Sequence, residues 1–450
     1  MVLREQAAQG VRALLEWAHG VRLADLPDAA RRRTALVIGD DIAAILSAQD
    51  EPEVLAFHAR LTRSGKATLL RKGAPKVDSM SAAVGNGLAA SWNELDEGYR
   101  KAPCHAGIYV LPALFAVAEE DGLTVGEAVR AAALGYEIAA RFARTWRSTM
   151  PPLHPHGIFN AVGAAAGVGL ARKLDFRQFI LAVTGASTMV SPGPYNHAIQ
   201  GVLVRNAWAA AGAQTGMLAV ELARAGIGGC DASPFDVYAS AFHGDTQPEE
   251  LAAGLGKDWA VCDGYQKLYA CCQYAHGSLD ALGEILRKRP DLQGGRGVAA
   301  IEVETHPLGM TLDNYRPETS LAAKFSLPHA LAATMVYGDG GVRAFASASL
   351  SDARVSGLRS KVQMKPHPDV RPWPLDRPGR VTVRLESGEQ LVAGRGSARG
   401  GADQPFAEEE IAAKIQALSA SSAPRLFSRL SALNGDASLP FRDWMASIFE

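Results

Sequence analysis

FNAVGAAAGVGLARKLD, residues 159–175, is a predicted helix with almost no side-chain bulk on any face. Its small residues run nearly without interruption: Gly163, Ala164, Ala165, Ala166, Gly167 and Gly169. Small residues allow neighbouring backbones to approach closely. The segment therefore predicts a helix at the centre of a helical bundle.

Further helices are predicted on both sides of this segment. Apolar residues recur at three- and four-residue spacing, which is typical of amphipathic helices, in VRALLEWAHGVRL (11–23), RRTALVIGDDIAAILSA (32–48) and PEVLAFHARL (52–61). GIYVLPALFAVAEEDG (107–122) predicts a buried helix, and Thr124 is placed to cap the next one. A second small-residue helix is expected over 206–225, ending at Gly226.

The pattern changes in the second half of the chain. From about residue 297, apolar and polar residues alternate, which predicts the strands of a small antiparallel or mixed sheet, in 297–306, 342–350, 357–367, 379–388 and 389–396. A helix over 318–340 is expected to pack on that sheet, and the Pro-rich 366–379 stretch is expected to be a loop. We therefore predict a mostly α protein, in which residues 1–265 and 405–450 form a large all-helical domain and residues 266–404 a smaller α+β domain.

Composition limits the classes of partner. The 450 residues carry a formal charge of -1 and include 48% hydrophobic and 21% charged residues, as in ordinary globular proteins. Near-neutral charge argues against nucleic-acid or anionic-membrane partners. The chain has no secretory signal and no long apolar run, so we expect a cytoplasmic protein. The five cysteines form no CxxC pair, which argues against structural zinc or a disulfide framework.

The stretch WNELDEGYRKAPCHAGIYVLP (92–112) concentrates titratable groups between two apolar runs. Non-periodic segments of this kind often carry function on a rigid scaffold. Asp96, Glu97 and His105 are the candidates here. The alternative is a solvated connector.

Two further clusters contain imidazole and guanidinium groups. His154 and His156 precede the small-residue helix, where imidazoles suit anion binding or proton transfer, or act as caps. Arg205 lies in an apolar segment that leads into a helix. It needs a partner of opposite charge, because an unpaired buried charge is costly. That partner is a substrate carboxylate or a neighbouring acid.

The segment GYQKLYACCQYAHGSLDAL (264–282) brings Lys267, Cys272 and His276 together. If a helix starts near Gln273, Lys267 and His276 could face one pocket; otherwise they are a surface lysine and a core histidine. A lysine among apolar neighbours can become a proton-transfer group.

DNYRPETSLAAKFSLPHA (313–330) is the last cluster. Tyr315 and Arg316 precede a helix there, and Arg316 would suit a second carboxylate. Lys324 inside the helix could be functional or could simply pair with Glu318.

Taken together, the order of these motifs resembles the MmgE/PrpD family along almost the whole chain. The resemblance rests on the acidic stretch leading to a histidine and VLPALFAVAE, on GYEIAARFART, on the HPxG turn before a GAAA helix, on KxYxCC and on AKFSLPHALA. The family includes 2-methylcitrate dehydratases, cis-aconitate decarboxylases and an iminodisuccinate epimerase. The resemblance implies a homodimer whose active site lies between the two domains and uses no metal or organic cofactor.

The resemblance also implies roles for individual residues. Asp96, His105, His154 and Lys267 match positions that line the family's active site, and His276 matches a nearby motif histidine. The chain departs from the family where ELDEG replaces DFDDT, so that the acid at the motif's end is Glu97. In addition, Arg205 stands where decarboxylases carry a lysine, and Cys272 stands where some carry a histidine.

We therefore expect a cofactor-independent lyase of the dehydratase type that acts by proton abstraction next to a carboxylate of a small di- or tricarboxylic acid. Such chemistry needs a base, an acid for the leaving hydroxyl and cations for the carboxylates. Lys267 or His105 is the expected base, His154 or Asp96 the expected acid, and Arg205 with Arg316 the expected carboxylate clamps. The alternatives are an epimerase, a decarboxylase and a non-catalytic carboxylate-binding protein.

Overall fold

The computed structural model describes residues 1–149 and 152–450. Most of the chain before residue 266 is helical. The helices of this part are α1 (Val2–Gly20), α2 (Asp28–Ser47), α3 (Pro52–His58), α4 (Ser79–Ala90), α5 (Ala106–Glu120), α6 (Val125–Thr145), α7 (Pro155–Ile158), α8 (Asn160–Ala171), α9 (Phe176–Ala186), α10 (Asn196–Gln200), α11 (Ala207–Arg224), α12 (Ser233–Phe235) and α13 (Glu249–Ala252). Its short strands are β1 (Ser64–Ala67), β2 (Gly98–Tyr99) and β3 (Gly264–Tyr265).

The remainder of the chain combines a sheet with further helices. Its elements are α14 (His276–Lys288), β4 (Val298–Thr305), α15 (Pro307–Met310), α16 (Ser320–Lys324), α17 (Leu327–Tyr337), α18 (Val342–Phe345), α19 (Ser347–Leu350), α20 (Ala353–Arg359), β5 (Val362–Pro366), β6 (Gly379–Leu385), β7 (Gln390–Arg395), α21 (Glu408–Ser419), α22 (Leu426–Gly435) and α23 (Phe441–Ser447). The fold is therefore mostly α, as predicted, and its four-stranded sheet lies in the second part. The first part, predicted to be all-helical, also contains the short strands β1, β2 and β3.

Helix α8 lies at the centre of the helical part, in agreement with its small residues. Every residue of α8 is buried, and the helix contacts α5, α6, α9 and α11. Helix α11 approaches closely: a Cβ atom at Gly216 would lie 2.6 Å from the backbone nitrogen of Ala165 and 2.8 Å from the carbonyl oxygen of Ala161. The two helices can pack this closely only because residue 216 has no side chain.

We expect Gly216→Ala to lower the free energy of unfolding by about 1–3 kcal/mol, because the new methyl group meets backbone atoms that cannot rotate away. Gly20→Ala is a matched control, since a Cβ atom at the exposed end of α1 meets nothing within 4 Å. Thermal melting of both variants measures the effect. Equal melting temperatures for the two variants would contradict the close packing of α8 against α11.

The predicted caps and buried helices are confirmed. Thr124 caps α6, its side chain accepting a hydrogen bond from the backbone of Glu127, whose carboxylate reaches back to Thr124. All residues of α5 except Glu120 are buried. Gly226 follows α11 with φ +81°, a left-handed conformation that favours glycine after a helix.

The sheet is mixed, with strand order β5-β4-β6-β7. Strand β4 pairs in parallel with β5 and antiparallel with β6, which pairs antiparallel with β7. Helix α14 contacts β6 and β7, and α17 contacts β5. The predicted loop lies between β5 and β6.

Three secondary-structure predictions were wrong in part. Residues 342–350 form helices α18 and α19 instead of a strand, because their apparent alternation comes from alanine and serine, which have little preference for strands. The predicted strand over 357–367 begins only at Val362, after the end of α20. The predicted helix over 318–340 is divided into α16 and α17, since Ser326 caps a new helix whose first turn contains Pro328.

Buried apolar side chains form two large clusters. One combines residues between Ala7 and Val261 with residues between Phe406 and Ile448. The other is drawn almost entirely from residues between Ala270 and Ala393. These clusters support a division into 1–265 with 405–450 and 266–404, which we retain as a proposal. Of the helices in the described ranges, none is long and apolar enough to cross a membrane.

Candidate active site

A narrow cavity lies where the two apolar clusters meet. Its walls are formed by Glu94, Tyr99, Pro103, Cys104, His105, His154, Pro155, Tyr195, Arg205, Tyr265, Lys267, Cys272, Gln273, Tyr274, Phe325 and Arg377. Five of these are residues predicted from the sequence: His105, His154, Arg205, Lys267 and Cys272. The volume is about 50 Å³, smaller than the roughly 300–1,000 Å³ of typical ligand sites. A small organic acid therefore enters only if the walls move apart.

The backbone of the 92–98 loop is fixed by two buried lysines and a short strand pair. Lys324 Nζ donates to the carbonyl oxygen of Trp92 at 2.7 Å and to Asn93 Oδ1 at 2.8 Å. Lys414 Nζ donates to the carbonyl oxygen of Leu95 at 2.7 Å. Strand β2 pairs antiparallel with β3, which brings the segment that carries Lys267 beside this loop. Lys324 is therefore structural here, and the expected pair with Glu318 is not formed.

Glu94 is the central acid of the cavity, although the sequence analysis did not select it. Its carboxylate lies 2.5 Å from Arg205 Nη2 and 3.4 Å from Lys267 Nζ. Its φ of +54° is unusual for a residue with a side chain, and such strained positions concentrate at functional sites. Glu94 is thus the acidic partner that Arg205 was expected to need. The available signal was an acid two residues before Asp96 in the ELDEG motif.

Asp96, His105 and Lys267 form a compact ionic group. Asp96 is fully buried, with Oδ2 2.7 Å from His105 Nδ1 and Oδ1 3.6 Å from Lys267 Nζ. Burial by itself raises the pKa of Asp96, but Lys267 and His105 outweigh burial and hold that pKa below its usual range. Burial opposes the charge of Lys267 too, yet Asp96 and Glu94 raise its pKa. Both groups are therefore charged at neutral pH.

The imidazole of His105 has a defined orientation. Its Nδ1 is 2.8 Å from the carbonyl oxygen of Glu97, an acceptor that requires the hydrogen to be on Nδ1. The lone pair of the neutral ring is consequently on Nε2. The side chain is 14% exposed and lines the cavity, so this nitrogen is available to accept a proton from a ligand.

His154 and His156 lie behind His105, and the neighbouring rings are in edge-to-face contact. The ring centroid of His156 is 4.8 Å from that of His105 and 4.5 Å from that of His154. Arg205 Nε lies 3.3 Å from His154 Nε2, and the backbone nitrogen of His156 lies 3.2 Å from His154 Nδ1. Burial, followed by the charge of Arg205, lowers the pKa of both histidines well below the usual value. His154 is therefore neutral, and its single unprotonated ring nitrogen can accept a hydrogen bond from only one of these two donors.

The comparisons with known proteins agree with this architecture. The MmgE/PrpD N-terminal domain matches residues 12–243, and the MmgE/PrpD C-terminal domain matches residues 269–428. The chain belongs to the MmgE/PrpD family. A cis-aconitate decarboxylase of Aspergillus terreus (strain NIH 2624 / FGSC A1156) is 26% identical over 362 residues, which are 73% of this chain and 72% of the relative. A cis-aconitate decarboxylase-like protein, oryM, of Aspergillus oryzae (strain ATCC 42149 / RIB 40) is 27% identical over 383 residues, or 76% of each. Membership identifies a family of enzymes of the dehydratase and decarboxylase type.

The glycine at the end of the ELDEG motif has a structural reason. Gly98 stands at the last motif position, and a Cβ atom there would lie 2.7 Å from Cε1 of Tyr265. The Tyr265 ring thus occupies the space that a side chain at residue 98 would need. It also lines the cavity, and burial raises the pKa of its hydroxyl to about 12.

Glu97 lies close to the cavity but faces away from it, which argues against the predicted contact with substrate. Its carboxylate accepts hydrogen bonds from Gly107 N at 2.7 Å and from the Tyr136 hydroxyl at 2.8 Å. Burial raises the pKa of Glu97 to about 8, and neighbouring Asp96 adds to the effect. Asp41 Oδ1 accepts a hydrogen bond from the backbone nitrogen of Glu97 at 3.3 Å. Burial, followed by the charge of Glu97, raises the pKa of Asp41 well above its usual value.

This acid predicts a pH dependence of stability. An unperturbed glutamate has a pKa of 4.5, whereas the folded-state pKa of Glu97 is about 8. Between these values the unfolded chain loses a proton that the folded chain keeps, so the free energy of unfolding falls as pH rises, and the loss is complete above pH 8. Glu97→Gln should therefore gain stability relative to the wild type as pH rises from 4.5 to 8. Melting temperatures measured across this range test the sign, and a constant difference would contradict it.

Three predicted substrate-binding residues lie outside the cavity. His276 begins α14, where its Nε2 lies 3.2 Å from the carbonyl oxygen of Cys271 and its ring packs against Tyr269 in the second apolar cluster. Tyr315 is 38% exposed and donates to the carbonyl oxygen of Val362, and Arg316 is exposed beside it. Adjacency in sequence to a helix was a poor guide there, because both side chains lie at the protein surface.

Cys272 does line the cavity, but as a neutral group. It is buried, and burial followed by the charge of Glu94 raises the pKa of its thiol to about 11. Cys271 is in the apolar cluster behind it. Cys272 therefore shapes the cavity wall rather than supplying a thiolate.

Asp96, His105 and His156 are the described residues whose ligand atoms come close enough for a shared metal ion, within 4.8 Å of one another. Lys267 Nζ lies 3.6 Å from Asp96 and already supplies positive charge there. His105 Nδ1 faces a carbonyl oxygen. These contacts favour an ion-paired site over a metal site.

Proposed function

We propose that this MmgE/PrpD protein is a lyase that removes a proton from the carbon next to a carboxylate of a small di- or tricarboxylic acid and then expels the adjacent hydroxyl as water. The observation that carries this proposal is the pairing of an imidazole with an open Nε2, His105, and a charged lysine, Lys267, in one buried cavity. A base and a cation close together are what such an elimination requires.

His105 is the proposed base. Its Nδ1 is held by the carbonyl oxygen of Glu97 and lies 2.7 Å from the Asp96 carboxylate. When Nε2 takes the carbon-bound proton, the Asp96 carboxylate is already in place to balance the positive charge of the imidazolium. Asp96 thereby stabilises the protonated base and fixes its orientation, and it stays ionised throughout.

Lys267 is the proposed acid. Its raised pKa keeps it an ammonium ion, which argues against its use as the base. An ammonium in a buried site stabilises the enolate-like charge left after proton removal. It can then give its proton to the departing hydroxyl. The other acids considered, His154 and Asp96, are less suitable because the former is neutral and the latter is ionised.

Decarboxylation of a cis-aconitate-like acid is the second candidate, because the relatives of the chain carry that name. In that reaction the bond from carbon to the leaving carboxylate breaks, its electron pair passes into the unsaturated acid, and a proton is delivered to carbon. His105 and Lys267 would also serve in this reaction, with His105 protonated at the start so that it can deliver the proton to carbon. The neutral thiol of Cys272 stands where some decarboxylases have an imidazole, which favours the dehydratase.

Product analysis separates these possibilities. The purified protein is incubated with citrate, 2-methylcitrate, malate and cis-aconitate, and products are followed by proton NMR with CO2 measured in parallel. We expect new vinyl signals without CO2 from a hydroxy acid. CO2 release from cis-aconitate would select the decarboxylase, and solvent deuterium in an otherwise unchanged acid would select an epimerase. Tight binding without any turnover would refute an enzymatic role.

A further inference from the structure

A second group of buried charges lies beside the cavity and involves both parts of the chain. Arg377 comes from the loop between β5 and β6, and Arg100 follows β2. The two residues are 4% and 5% exposed, respectively. Arg377 lines the same cavity as His105 and Lys267.

This group has a surplus of positive charge. Within residues 1–149 and 152–450, Asp376 is the one carboxylate within ion-pair distance of either guanidinium, 3.6 Å from Arg100 Nη2 and 3.9 Å from Arg377 Nε. By contrast, the other two cavity cations, Arg205 and Lys267, are matched by Glu94 and Asp96. Arg100 and Arg377 share the single carboxylate of Asp376, so the unbalanced positive charge of the site lies on these two guanidinium groups.

The same guanidinium groups also have unused hydrogen-bond donors. Arg100 Nη1 and Nη2 and Arg377 Nε are buried, and none has a hydrogen-bond partner among the described residues. Buried donors of charged groups are costly to leave unpaired. Water can accept such bonds but cannot neutralise the charge, whereas an anion does both.

Arg377 is held in a fixed orientation. Its Nη1 donates to the side-chain oxygen of Gln273. Its Cζ lies 4.9 Å from the ring centroid of Tyr274 and 5.3 Å from that of Trp373. A guanidinium held between aromatic rings is preorganised for the planar, two-oxygen geometry of a carboxylate.

Arg377 lines the same narrow cavity as Lys267 and Arg205, so one small molecule there can contact all three. Lys267 and Arg377 each act on Tyr265 and on Cys272, lowering the pKa of those side chains against the larger effect of burial. Arg377 also affects Arg100: burial, followed by the positive charge of Arg377, lowers the pKa of Arg100 to about 9.

We infer that Arg377, supported by Arg100, binds a carboxylate of the substrate remote from the reacting carbon, while Lys267 and Arg205 face the carboxylate next to that carbon. This inference rests on the proposed function and assigns to Arg377 the clamp that the sequence analysis assigned to Arg316. The substrate class follows: an acid with at least two carboxylates, one of which is separated from the carbon that loses the proton.

Binding of unreactive acids tests this assignment without depending on turnover. Isothermal titration calorimetry compares tricarballylate with butyrate for the wild type, Arg377→Gln and Arg377→Lys. Arg371→Gln is the control, because Arg371 is an exposed residue of the same loop that bonds the carbonyl oxygen of Gly396. We expect Arg377→Gln to weaken tricarballylate binding by about 10- to 100-fold, the range of a charge-assisted hydrogen bond. Arg377→Lys should weaken it less, and Arg371→Gln should leave it unchanged.

The result that overturns the inference is tricarballylate binding by folded Arg377→Gln as tight as that by the wild type, or wild-type binding of butyrate as tight as that of tricarballylate. If Arg377→Gln does not fold, Arg100→Gln takes its place with the same expected loss. Failure of the proposed function is distinct: it is the absence of turnover of every polycarboxylate while the Arg377-dependent binding of tricarballylate remains.

Discussion

His105→Asn is expected to lower kcat on the polycarboxylate substrate by about 10²- to 10⁴-fold, the usual contribution of a positioned general base. Asparagine can still donate to the carbonyl oxygen of Glu97, which His105 Nδ1 now contacts. It has no basic nitrogen in place of Nε2. Because His105 is partly exposed to the cavity, the replacement should leave the fold intact. Steady-state kinetics with circular dichroism as a check of folding measures the effect.

His276→Asn is the matched control for this variant. His276 is a buried histidine close in space to the second apolar cluster, yet it lies outside the cavity. Its replacement should change the melting temperature but not kcat of the folded enzyme. A loss of activity equal to that of His105→Asn would mean that both histidines act on the reaction and that the present assignment is incorrect.

Lys267→Met should produce the other large loss, and it should affect both activity and stability. Removing the ammonium takes away the charge that stabilises the enolate-like intermediate, so kcat should fall by about 10²- to 10³-fold. It also leaves the fully buried Asp96 carboxylate with one fewer cation. Breaking a buried ion pair on one side typically costs about 3–5 kcal/mol. Kinetics and denaturant unfolding measure the two effects.

The double variant Lys267→Met/Asp96→Asn separates these effects. It removes both charges of the pair, so stability should recover towards the wild-type value. Activity should not recover, since the cation and the partner of the base are both missing. Recovery of kcat in the double variant would show that Lys267 only balances Asp96.

The sequence was informative where function depends on local pattern. The small residues of the 159–175 segment placed α8 at the centre of the helical part, because a helix without side-chain bulk has few other favourable positions. His105, His154 and Lys267 were selected because imidazole and ammonium groups suit proton transfer and because their motifs resemble those of the MmgE/PrpD family. All three line one cavity, although 162 positions separate the first from the last.

The residues that were missed depend on contacts between distant segments. Glu94 is important because Arg205 and Lys267 meet at its carboxylate, and its place in the ELDEG motif does not reveal these two distant partners. Arg377 was placed in a Pro-rich loop, and only the docking of that loop beside Arg100 gives it a charged environment. Conversely, Arg316 had a favourable sequence context but lies on the outer surface.

The most direct test of the central claim, that His105 takes a proton from the carbon next to a carboxylate, uses a substrate deuterated at that carbon. Mass spectrometry of the product shows whether the label is retained. The account predicts that the wild type releases one deuterium per turnover and that His105→Asn releases it at least about 10²-fold more slowly. A product that keeps all of its deuterium, or equal rates of release from the two proteins, would contradict the account.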